Sequence, residues 1–488
     1  MQLKDLIKSL QSYKSRSDFT DFQVKGIASD SGKVSPDFIF IAIKGNKEDG
    51  HKFIKEAIGN GARAIIVQSD CPKIEAANNI YFFEVVDTRK ATAELANAFY
   101  GSPSDKIKAV GITGTNGKTT ISYLIEAILK EARLEPGVIG TVNYRFKDKV
   151  FTAKNTTPGP VEIQSLLASM LKAGVKYVVM EVSSHALDQA RCEGINFSCA
   201  IFTNLTQDHL DYHGGLENYF QAKSKLFKLL TKYSFAVINN DDCYARRLLK
   251  LTKAQTLTYG IDNPADIMAE EIKLGVSQTE FKLKTGKLTV PFKTRLVGRH
   301  NIYNILAAVS WALKEGLDLS LIKSAIEKFY LVPGRLERID FTGDFSVFVD
   351  YAHTEDALAN VLCFLRQIAK ARIIIVFGCG GERDKTKRPK MGKVATELAD
   401  YAIITNDNPR SEDPADIVNC IKNGISKDNY RVIFERREAI KEALSMAKAL
   451  DIVLVAGKGH EDYQILKDRT VSFDDRQVIR ECLNSAKY

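Results

Sequence analysis

A glycine-rich turn between an apolar run and a helical pattern has the residue types of a polyphosphate site. Residues 109–120 read Ala-Val-Gly-Ile-Thr-Gly-Thr-Asn-Gly-Lys-Thr-Thr, and a helical pattern continues over residues 121–130. Backbone N–H groups of such a turn, with the positive end of the helix, bind polyphosphates. Lys118 can reach the terminal phosphates, and the Thr119 hydroxyl can ligate Mg²⁺. Ile112 replaces the first glycine of the usual Gly-x4-Gly-Lys-Thr spacing, but the order of strand, turn and helix still predicts phosphate binding.

Polar and charged side chains also follow most of the other apolar runs. In a doubly wound sheet, ligands bind beyond the carboxyl ends of the strands, so these side chains predict an active site there. Histidines are concentrated in or beside the same segments. The segments are Val178-Val-Met-Glu-Val-Ser-Ser-His185, Ile201-Phe-Thr-Asn-Leu-Thr-Gln-Asp-His209, Val349-Asp-Tyr-Ala-His353, Phe377-Gly-Cys-Gly-Gly-Glu-Arg-Asp384, Thr405-Asn-Asp-Asn-Pro-Arg410 and Ala456-Gly-Lys-Gly-His-Glu461.

Two of these side chains, Glu181 and His209, suit a divalent cation beside the phosphates. Mg²⁺ prefers oxygen ligands and water, which makes His209 the less typical ligand. Zn²⁺ is an alternative, but the chain has no helical His-x3-His pair or cysteine set to support it. A hydrolase built on Ser183, His185 and Asp188 is another alternative, although the Gly-x-Ser-x-Gly elbow of such enzymes is missing.

The elements that must position these groups are those of an α/β protein. Short apolar runs alternate with helix-length connections, which indicates parallel sheets covered by helices. The one exception is the alternating segment 279–290, which predicts an antiparallel hairpin around Thr285-Gly286. The runs predicted as strands are 64–67, 109–113, 177–182, 200–204, 236–239, 347–350, 373–377, 402–405 and 452–455.

Two breaks divide the chain. Gly101-Ser-Pro-Ser-Asp105 separates a helical pattern from the run at residue 109, and Leu331-Val-Pro-Gly-Arg335 precedes a new strand-rich segment. A chain of 488 residues suits two to four domains. We expect three, at residues 1–104, 105–333 and 334–488.

Composition restricts the class of protein and its partners. No apolar run reaches the ~18 residues of a membrane span, and the first residues lack a secretory signal, so we expect no membrane insertion. Eight scattered cysteines without a Cys-x-x-Cys pair fit a reducing cytoplasm. The net charge of +9 favours anionic partners, but the dispersed cations argue against nucleic acid. The basic run 383–390 lacks interleaved aromatics, which weakens a nucleic-acid-binding ATPase as an alternative.

Together, the motifs resemble those of the Mur ligase family, the ATP-dependent amino-acid ligases of peptidoglycan synthesis. The resemblance runs from about residue 24 to the end, and its C-terminal motifs are similar to those of the member that adds a diamino acid to UDP-N-acetylmuramoyl-L-alanyl-D-glutamate. The central motifs are Gly114-Thr-Asn-Gly-Lys-Thr-Thr120, Glu181-Val-Ser-Ser-His185, Asn204-Leu-Thr-Gln-Asp-His209, Gly298-Arg-His-Asn301 and Pro333-Gly-Arg335. The C-terminal ones are Gly380-Gly-Glu-Arg-Asp384, Asp407-Asn-Pro-Arg410 and Gly457-Lys-Gly-His-Glu461.

The resemblance implies an architecture and a reaction. A small N-terminal α/β domain binds the UDP substrate, a central P-loop-type domain with a mostly parallel sheet binds ATP, and a Rossmann-like C-terminal α/β domain binds the amino acid. ATP and Mg²⁺ activate a carboxylate as an acyl phosphate, and the working form is a cytoplasmic monomer. Alternatives are an L-lysine-adding ligase, a folylpolyglutamate-synthase-like ligase, and a P-loop kinase or GTPase-like switch.

Residue roles follow from the same resemblance. The resemblance assigns catalysis to Lys118, Lys223, Glu181 and His209. Residues for ATP are Gly114, Thr115, Asn116, Gly117, Lys118, Thr119, Thr120, Asn301, Asn304, Arg335 and Asp350. Those for the UDP substrate are Ser31, Asn46, Asn155, Thr156, Thr157, Ser183, Gln189 and Arg191. The family usually has Arg after Asp30-Ser31, where this chain has Gly32.

The resemblance also implies a metal set and an amino-acid site. Mg²⁺ is held by Thr119, Glu181, His209 and a carbamylated Lys223. Taken alone, Lys223 reads as an exposed helix lysine, and Lys225 is a rival for its role. Meso-diaminopimelate is bound by Arg383, Asp407, Asn408, Pro409, Arg410, Gly457 and Glu461. Arg410 can pair with the distal carboxylate that lysine lacks; alternatively it forms a surface ion pair with Glu412 or Asp413.

Overall fold

Three large β-sheets follow one another along the chain. The computed structural model describes residues 1–45, 48–72, 74 and 79–485. The first sheet has four parallel strands and an antiparallel edge strand, in the order β1-β5-β4-β3-β2. Its strands are β1 (Lys14–Ser15), β2 (Gly26–Ala28), β3 (Phe38–Ile41), β4 (Ala62–Gln68) and β5 (Tyr81–Val85). The helices of this part are α1 (Leu3–Ile7), α2 (Ile54–Gly59) and α3 (Thr88–Phe99).

The central sheet has eleven strands in the order β16-β15-β14-β13-β12-β11-β6-β10-β7-β8-β9. Its strands are β6 (Lys108–Thr113), β7 (Gly137–Ile139), β8 (Asn143–Phe146), β9 (Lys149–Thr152), β10 (Tyr177–Glu181), β11 (Phe197–Phe202), β12 (Phe235–Asn239), β13 (Gln255–Gly260), β14 (Ile267–Leu274), β15 (Thr279–Thr285) and β16 (Leu288–Thr294). Its helices are α4 (Lys118–Glu131), α5 (Pro160–Lys172), α6 (Ser184–Asp188), α7 (Leu210–His213), α8 (Leu216–Lys228), α9 (Ala245–Leu251), α10 (Arg299–Lys314) and α11 (Leu319–Lys328).

The third sheet has the order β17-β18-β22-β19-β20-β21, parallel except at β17. Its strands are β17 (Glu337–Ile339), β18 (Ser346–Asp350), β19 (Ile373–Phe377), β20 (Tyr401–Ile404), β21 (Tyr430–Val432) and β22 (Ile452–Ala456). A separate hairpin joins β23 (Tyr463–Ile465) to β24 (Thr470–Ser472). The helices are α12 (Glu355–Ile368), α13 (Lys387–Leu398), α14 (Pro414–Lys422), α15 (Arg436–Met446) and α16 (Asp475–Ser485).

The parallel strands β6, β10, β11 and β12 of the central sheet are buried on both faces, as their continuous apolar runs predict. Successive residues of β6 enter different cores: Ala109 packs with α5 and α8, whereas Val110 and Ile112 pack with α4 and α10. Helices on both faces therefore leave the carboxyl ends of the parallel strands as the edge where ligands can bind. No helix in the described part of the chain has the length and apolarity to cross a membrane.

The structure confirms the α/β fold, and every run predicted as a strand lies in or overlaps one. The predicted hairpin is present: β15 pairs with β16 across a turn at Gly286 and Lys287. The prediction that this hairpin is the one antiparallel exception is wrong. Other antiparallel pairs are β1 with β5, β7 with β8, β8 with β9, β14 with β15, β17 with β18, and β23 with β24. Most of these strands are only two to four residues long, too short for a clear alternation. The sheets fall within the three predicted ranges, whose boundaries stay predictions.

Candidate active site

The turn at residues 114–120, called here the phosphate loop, joins the buried strand β6 to helix α4. Gly114 and Gly117 have φ values of +148° and +93°. A Cβ on Gly114 would lie 1.8 Å from Thr203 Oγ1, and one on Gly117 would lie 2.4 Å from Asn304 Oδ1. The close approach of these neighbours admits only glycine at both positions, and it sets Thr119 and Thr120 in the first turn of α4.

Two lysines meet at the phosphate loop. Lys118 Nζ donates to the carbonyls of Gly114 at 2.8 Å and Thr115 at 2.7 Å, while Lys223 Nζ donates to the same Gly114 carbonyl at 2.7 Å. Desolvation lowers the pKa of Lys118. It also lowers the pKa of Lys223 well below its ordinary value, and the charge of Lys118 adds to that effect. The charge of Lys118 beside this carbonyl makes it a place that favours anions.

Lys223 is buried, with 2% of its surface exposed, so the interpretation as an exposed helix lysine is wrong. On α8 it lies in the buried stripe with Tyr219 and Phe227, four residues before and after it, and its Nζ lies 4.4 Å from the centre of the Tyr219 ring. This four-residue spacing is the sequence pattern from which the burial of Lys223 could have been predicted. Lys225 is on the exposed side and pairs with Asp188 at 3.0 Å.

Glu181 ends β10 and is 1% exposed. Thr119 Oγ1 and Thr141 Oγ1 each donate to its Oε2 at 2.8 Å, and the Thr141 N–H donates to Oε1 at 3.0 Å. A buried carboxylate thus lies beside the loop hydroxyl predicted to ligate Mg²⁺. Nothing in the sequence marked Thr141, because its contact with Glu181 is made only by folding.

His209 lies across from Glu181 on the segment after β11. Its φ is +54°, and its ring lies 4.7 Å from that of His185. Desolvation in the cleft lowers the pKa of His209 to about 4, although Asp208 opposes the shift, and the imidazole is neutral near pH 7. No group of three or more His, Cys, Asp or Glu residues within the described segments has metal-binding geometry. A metal here would therefore depend on phosphate oxygens and water as well, which is the usual situation for Mg²⁺.

The C-terminal part of the chain reaches the phosphate loop through Arg335. Arg335 Nη2 lies within 3.4 Å of Thr119 Oγ1, and the guanidinium covers the Tyr351 ring at 4.7 Å. Asp350 accepts from the N–H groups of Leu336 and Ala352, and burial raises its pKa. A cavity of about 720 Å³, called the central cavity, is lined by all of the residues predicted for ATP except Gly114, together with Glu181, His209 and Lys223.

Asn301 and Asn304 bring α10 to the same cavity. Asn301 Nδ2 donates to the Val297 carbonyl at 2.8 Å, and Asn304 Nδ2 donates to Asn301 Oδ1 at 3.0 Å. The amide of Asn304 lies against Gly117, so α10 and the phosphate loop form one wall.

The residues predicted for the UDP substrate are brought together only in part. Thr157 Oγ1 donates to Ser183 Oγ at 3.3 Å, and Arg191 binds both the Thr157 carbonyl and Gln189 Oε1 at 2.8 and 2.7 Å. Thr156 and Ser183 line the central cavity, and Asn155 precedes them on an exposed segment. Ser31 begins a 3₁₀ turn of the first domain, away from both cavities described in this subsection. Asn46 lies outside the described residues.

A second cavity of about 1280 Å³, called the interdomain cavity, is lined by the residues predicted for the amino acid except Pro409. Three segments, the amino-acid loops 378–383, 407–412 and 457–461, form its C-terminal wall. A Cβ on Gly381 would lie 1.9 Å from the Pro409 carbonyl oxygen, so two of these loops are in direct contact. Residues of the predicted set that line the cavity are Arg383, Asp407, Asn408, Arg410, Gly457 and Glu461.

Arg410 is held by backbone carbonyls. Its Nη1 donates to Gly381 O at 2.7 Å and its φ is +54°. Glu412, the partner considered for it, instead binds the buried Arg388 at 2.9 Å, which holds the pKa of Glu412 at about 2. No sequence pattern predicts the burial of Arg388, because its partner Glu412 lies 24 residues further along the chain.

Asn408 and Glu461 are linked directly. Asn408 Nδ2 donates to Glu461 Oε2 at 3.0 Å, and the buried Lys458 donates to both side chains at 3.2 Å. Lys458 stands inside the quoted motif Gly457-Lys-Gly-His-Glu461, and sequence reasoning passed over it.

The two cavities share a wall. Six residues line both: Thr206, Asp208, His209, Tyr351, His353 and Thr354. Groups bound at the phosphate loop and at the amino-acid loops would therefore meet near His209. The arrangement can bring a transferable phosphoryl group next to an amine.

Comparisons with known proteins agree along the whole chain. Family models match in order: Mur ligase family, catalytic domain, over residues 23–100; Mur ligase middle domain over 112–312; and Mur ligase, glutamate ligase domain, over 334–459. A relative from Clostridium tetani named UDP-N-acetylmuramoyl-L-alanyl-D-glutamate--2,6-diaminopimelate ligase is 44% identical over 99% of each chain. One of the same name from Bacillus cereus is 43% identical over 94% of each.

Solved structures give the same result. A structure of UDP-N-acetylmuramoyl-L-alanyl-D-glutamate--2,6-diaminopimelate ligase has a TM-score of 0.67, 33% identity and 95% coverage of each chain. MurF from Acinetobacter baumannii, at 20% identity, shares the fold with a TM-score of 0.66 over 99% of this chain and 98% of its own.

Proposed function

The chain belongs to the Mur ligase family, and we propose that it joins meso-diaminopimelate to UDP-N-acetylmuramoyl-L-alanyl-D-glutamate in peptidoglycan precursor synthesis, with ATP as co-substrate. The observation that carries the proposal is the wall shared by the central and interdomain cavities. It brings the phosphate loop to the edge of the site that contains Arg410 and Glu461. The names of the full-length relatives at 43–44% identity supply the substrates.

The reaction needs an activated carboxylate, because a carboxylate is a poor electrophile and the amine is protonated at neutral pH. A carboxylate oxygen of the UDP substrate attacks the γ-phosphorus of ATP, and ADP leaves. The amine of the amino acid, after losing a proton, attacks the acyl carbon, and phosphate leaves with the C–O electron pair. Lys118 and Arg335 neutralise charge at the transferring phosphoryl group. Both lie where the phosphate loop meets the C-terminal domain.

Mg²⁺ fits the donor set beside the loop. Thr119 and Glu181 offer hard oxygen atoms, and the neutral His209 offers a nitrogen. When bound, the ion would supply positive charge to the phosphates. Thr119 and Thr141 orient the Glu181 carboxylate in either case.

Carbamylation of Lys223 is part of the proposal. Its lowered pKa favours the neutral amine, which can add to the carbon of CO₂ with loss of one proton. The product is an anion that Lys118, next to it on the Gly114 carbonyl, would stabilise, and it adds an oxygen ligand for Mg²⁺.

The UDP substrate would span the first two domains. We assign its nucleotide to the segment with Ser31 and Asn46. Its muramoyl-dipeptide goes to Asn155, Thr156, Thr157, Ser183, Gln189 and Arg191, an assignment supported by the hydrogen-bonded group of Thr157, Ser183 and Arg191.

The amino-acid loops would select the diamino acid. Arg410 supplies a planar cation for the distal carboxylate, which lysine lacks. We assign Arg383 to a carboxylate and Glu461 to an ammonium of the same molecule, with Asp407, Asn408, Pro409 and Gly457 shaping the loops around it. The contact between Gly381 and Pro409 supports this assignment, because it fixes one loop against another.

We further propose that the protein acts as a cytoplasmic monomer without nucleic acid. ATP and UDP-linked precursors are cytoplasmic compounds, and both cavities are formed by one chain. In the basic run, Lys385, Lys387 and Lys390 already contact Glu412, the His353 carbonyl and Glu355.

The test is phosphate release from ATP with each substrate omitted in turn. We expect turnover only when the UDP-muramoyl-dipeptide and meso-diaminopimelate are both present, and a product heavier by one diaminopimelate residue in mass spectrometry. A kinase or GTPase-like switch would need no amino acid. Turnover with L-lysine as efficient as with diaminopimelate would favour the lysine-adding alternative, and turnover with a folate substrate and glutamate would favour the folylpolyglutamate-synthase-like one.

A further inference from the structure

We propose that Lys458 is a positioning residue of the amino-acid site: it fixes Asn408 and Glu461 without contacting the substrate. The inference deepens the proposed function and rests on it, because Asn408 and Glu461 are assigned to the amino acid there. Lys458 has no exposed surface, so it is set apart from the cavity that its two partners line.

The backbone explains why the side chain points inward. Gly457 and Gly459 flank Lys458 with φ values of +114° and +55°. A Cβ on Gly457 would lie 2.8 Å from Asp407 Oδ2, and one on Gly459 would lie 2.7 Å from Tyr351 Cβ. The turn after β22 is therefore packed on both sides, and it directs Lys458 into the protein.

The ammonium fixes the amide of Asn408. Lys458 Nζ and the Ile465 N–H both donate to Asn408 Oδ1, at 3.2 and 2.9 Å. Two donors at one end of the amide leave Nδ2 to donate to Glu461 Oε2 at 3.0 Å. Lys458 and the Ile465 N–H together determine which end of the Asn408 side chain faces Glu461.

The same ammonium holds Glu461. Lys458 Nζ lies 3.2 Å from Oε2, the oxygen that also accepts from Asn408. With both bonds on Oε2, we assign Oε1 to the ammonium of the amino acid. The Tyr463 ring, 5.5 Å from Nζ, completes the surroundings of the buried cation.

The charge of Lys458 is needed as well as its shape. A buried cation requires a partner, and the partner of Lys458 is Glu461, whose side chain is 16% exposed to the cavity. Without Lys458, Asn408 Oδ1 would keep one of its two donors, the Ile465 N–H, and Glu461 Oε2 would lose the ammonium that binds it. The consequence falls on amino-acid binding, because the phosphate loop lies in another domain.

The test measures the Kd of meso-diaminopimelate by calorimetry on the full-length enzyme with the UDP substrate and a non-hydrolysable ATP analogue, and KM and kcat in the ligation assay. Lys458→Met should raise Kd and KM for the amino acid about 10- to 100-fold, the range expected when a supporting residue is lost. KM values for ATP and the UDP substrate should stay within about twofold. Lys458→Arg should recover part of the loss, because it keeps the charge.

Lys467→Met is the matched control, since Lys467 is exposed in the nearby turn between β23 and β24. A double-mutant cycle with Glu461→Gln gives the second measurement. If Lys458 acts through Glu461, adding Lys458→Met to Glu461→Gln should cost less than about threefold more in Kd.

Three outcomes overturn the proposal: a Lys458→Met enzyme that matches Lys467→Met, equal losses for all three substrates with a lowered melting temperature, or full additivity in the cycle. A wild type that binds and ligates L-lysine in preference would instead contradict the proposed function. The role of Lys458 would then be decided by the same measurements made with lysine.

Discussion

The phosphate loop and the amino-acid loops solve different structural problems. The phosphate loop is one continuous segment whose glycines are fixed by Thr203 and Asn304 and whose lysine returns to its own carbonyls. The amino-acid loops are three segments, and Arg410 is held by a carbonyl 29 residues away. The turn, the lysine and the helix of the phosphate loop are contiguous in the sequence, although Thr203 and Asn304 pack against its glycines from other segments. Selection of an amino acid depends on how separate segments meet, and it can change without disturbing the phosphate loop.

The largest expected effect is on the phosphate side. Lys118→Ala should lower the ligation rate by on the order of 10³-fold or more, because it removes the cation that we assign to the transferring phosphoryl group. Phosphate release measures the rate. The variant should still bind the UDP substrate in calorimetry, since we assign that site mostly to other segments.

Lys130→Ala is the control on the same helix, because Lys130 is exposed and pairs with Glu126 in the last turn of α4. Near-normal ligation by Lys118→Ala would refute the assignment of the loop.

Lys223→Ala should have the second-largest effect, and we expect it to lower the ligation rate by about 10³-fold if the carbamate supports the phosphoryl transfer. Small carboxylic acids should restore part of the activity by replacing the missing carboxylate. Enzyme equilibrated with ¹³CO₂ should show a carbamate carbon signal that the variant lacks. Lys225→Ala should behave like wild type, because Lys225 pairs with Asp188 at the surface. Absence of the labelled signal in active wild-type enzyme would contradict carbamylation.

The same contrast explains how far the sequence could lead. The phosphate loop was predictable because strand, turn, lysine and helix are contiguous, and the burial of Lys223 was recoverable from the spacing of Tyr219 and Phe227 on α8. Thr141, Arg388 and Lys458 were not recovered, since each acts through a partner that only folding brings near. Asp356 is a further case: it accepts from Asn116 and Thr206, across 240 and 150 residues of chain. The short antiparallel strands were not predicted for a different reason: a strand of two to four residues is too short to show an alternation of apolar and polar residues.

Arg410→Ala tests the amino-acid side. Wild type should prefer meso-diaminopimelate over L-lysine by about 30- to 1000-fold in kcat/KM, because lysine leaves the guanidinium unpaired at a cost of roughly 2–4 kcal/mol. The variant should lose most of that preference while its KM for ATP changes little. Arg437→Ala, at an exposed ion pair with Glu481 in the same domain, serves as the control. Equal use of both amino acids by wild type, or an undiminished preference in the variant, would contradict the assignment.

The smallest expected effect concerns the ion pair of Glu412 and Arg388, which supports the amino-acid loops. Glu412 binds Arg388 and accepts from the Glu382 N–H, so it ties the segment after β19 to the one after β20. Its pKa is held at about 2 against an ordinary value of 4.5. Since a lowered pKa stabilises the ionised folded form, the stabilisation is complete above pH 4.5 and is lost as the pH falls towards 2. The substitution Glu412→Gln removes this stabilisation at every pH, because it leaves the buried Arg388 without a counter-charge.

We therefore expect Glu412→Gln to lower the melting temperature at pH 7 by about 4–8 °C, which corresponds to about 2 kcal/mol for a domain of this size. The difference in melting temperature between wild type and Glu412→Gln should decrease steadily as the pH falls below 4.5. Glu397→Gln, at a side chain 44% exposed on α13, should change little at any pH. A gap that stays constant from pH 7 to pH 3.5 would mean that the carboxylate charge of Glu412 is not what holds the two loops together. The two loops would then be joined by the contact between Gly381 and Pro409 and by the hydrogen bond from Arg410 Nη1 to the Gly381 carbonyl.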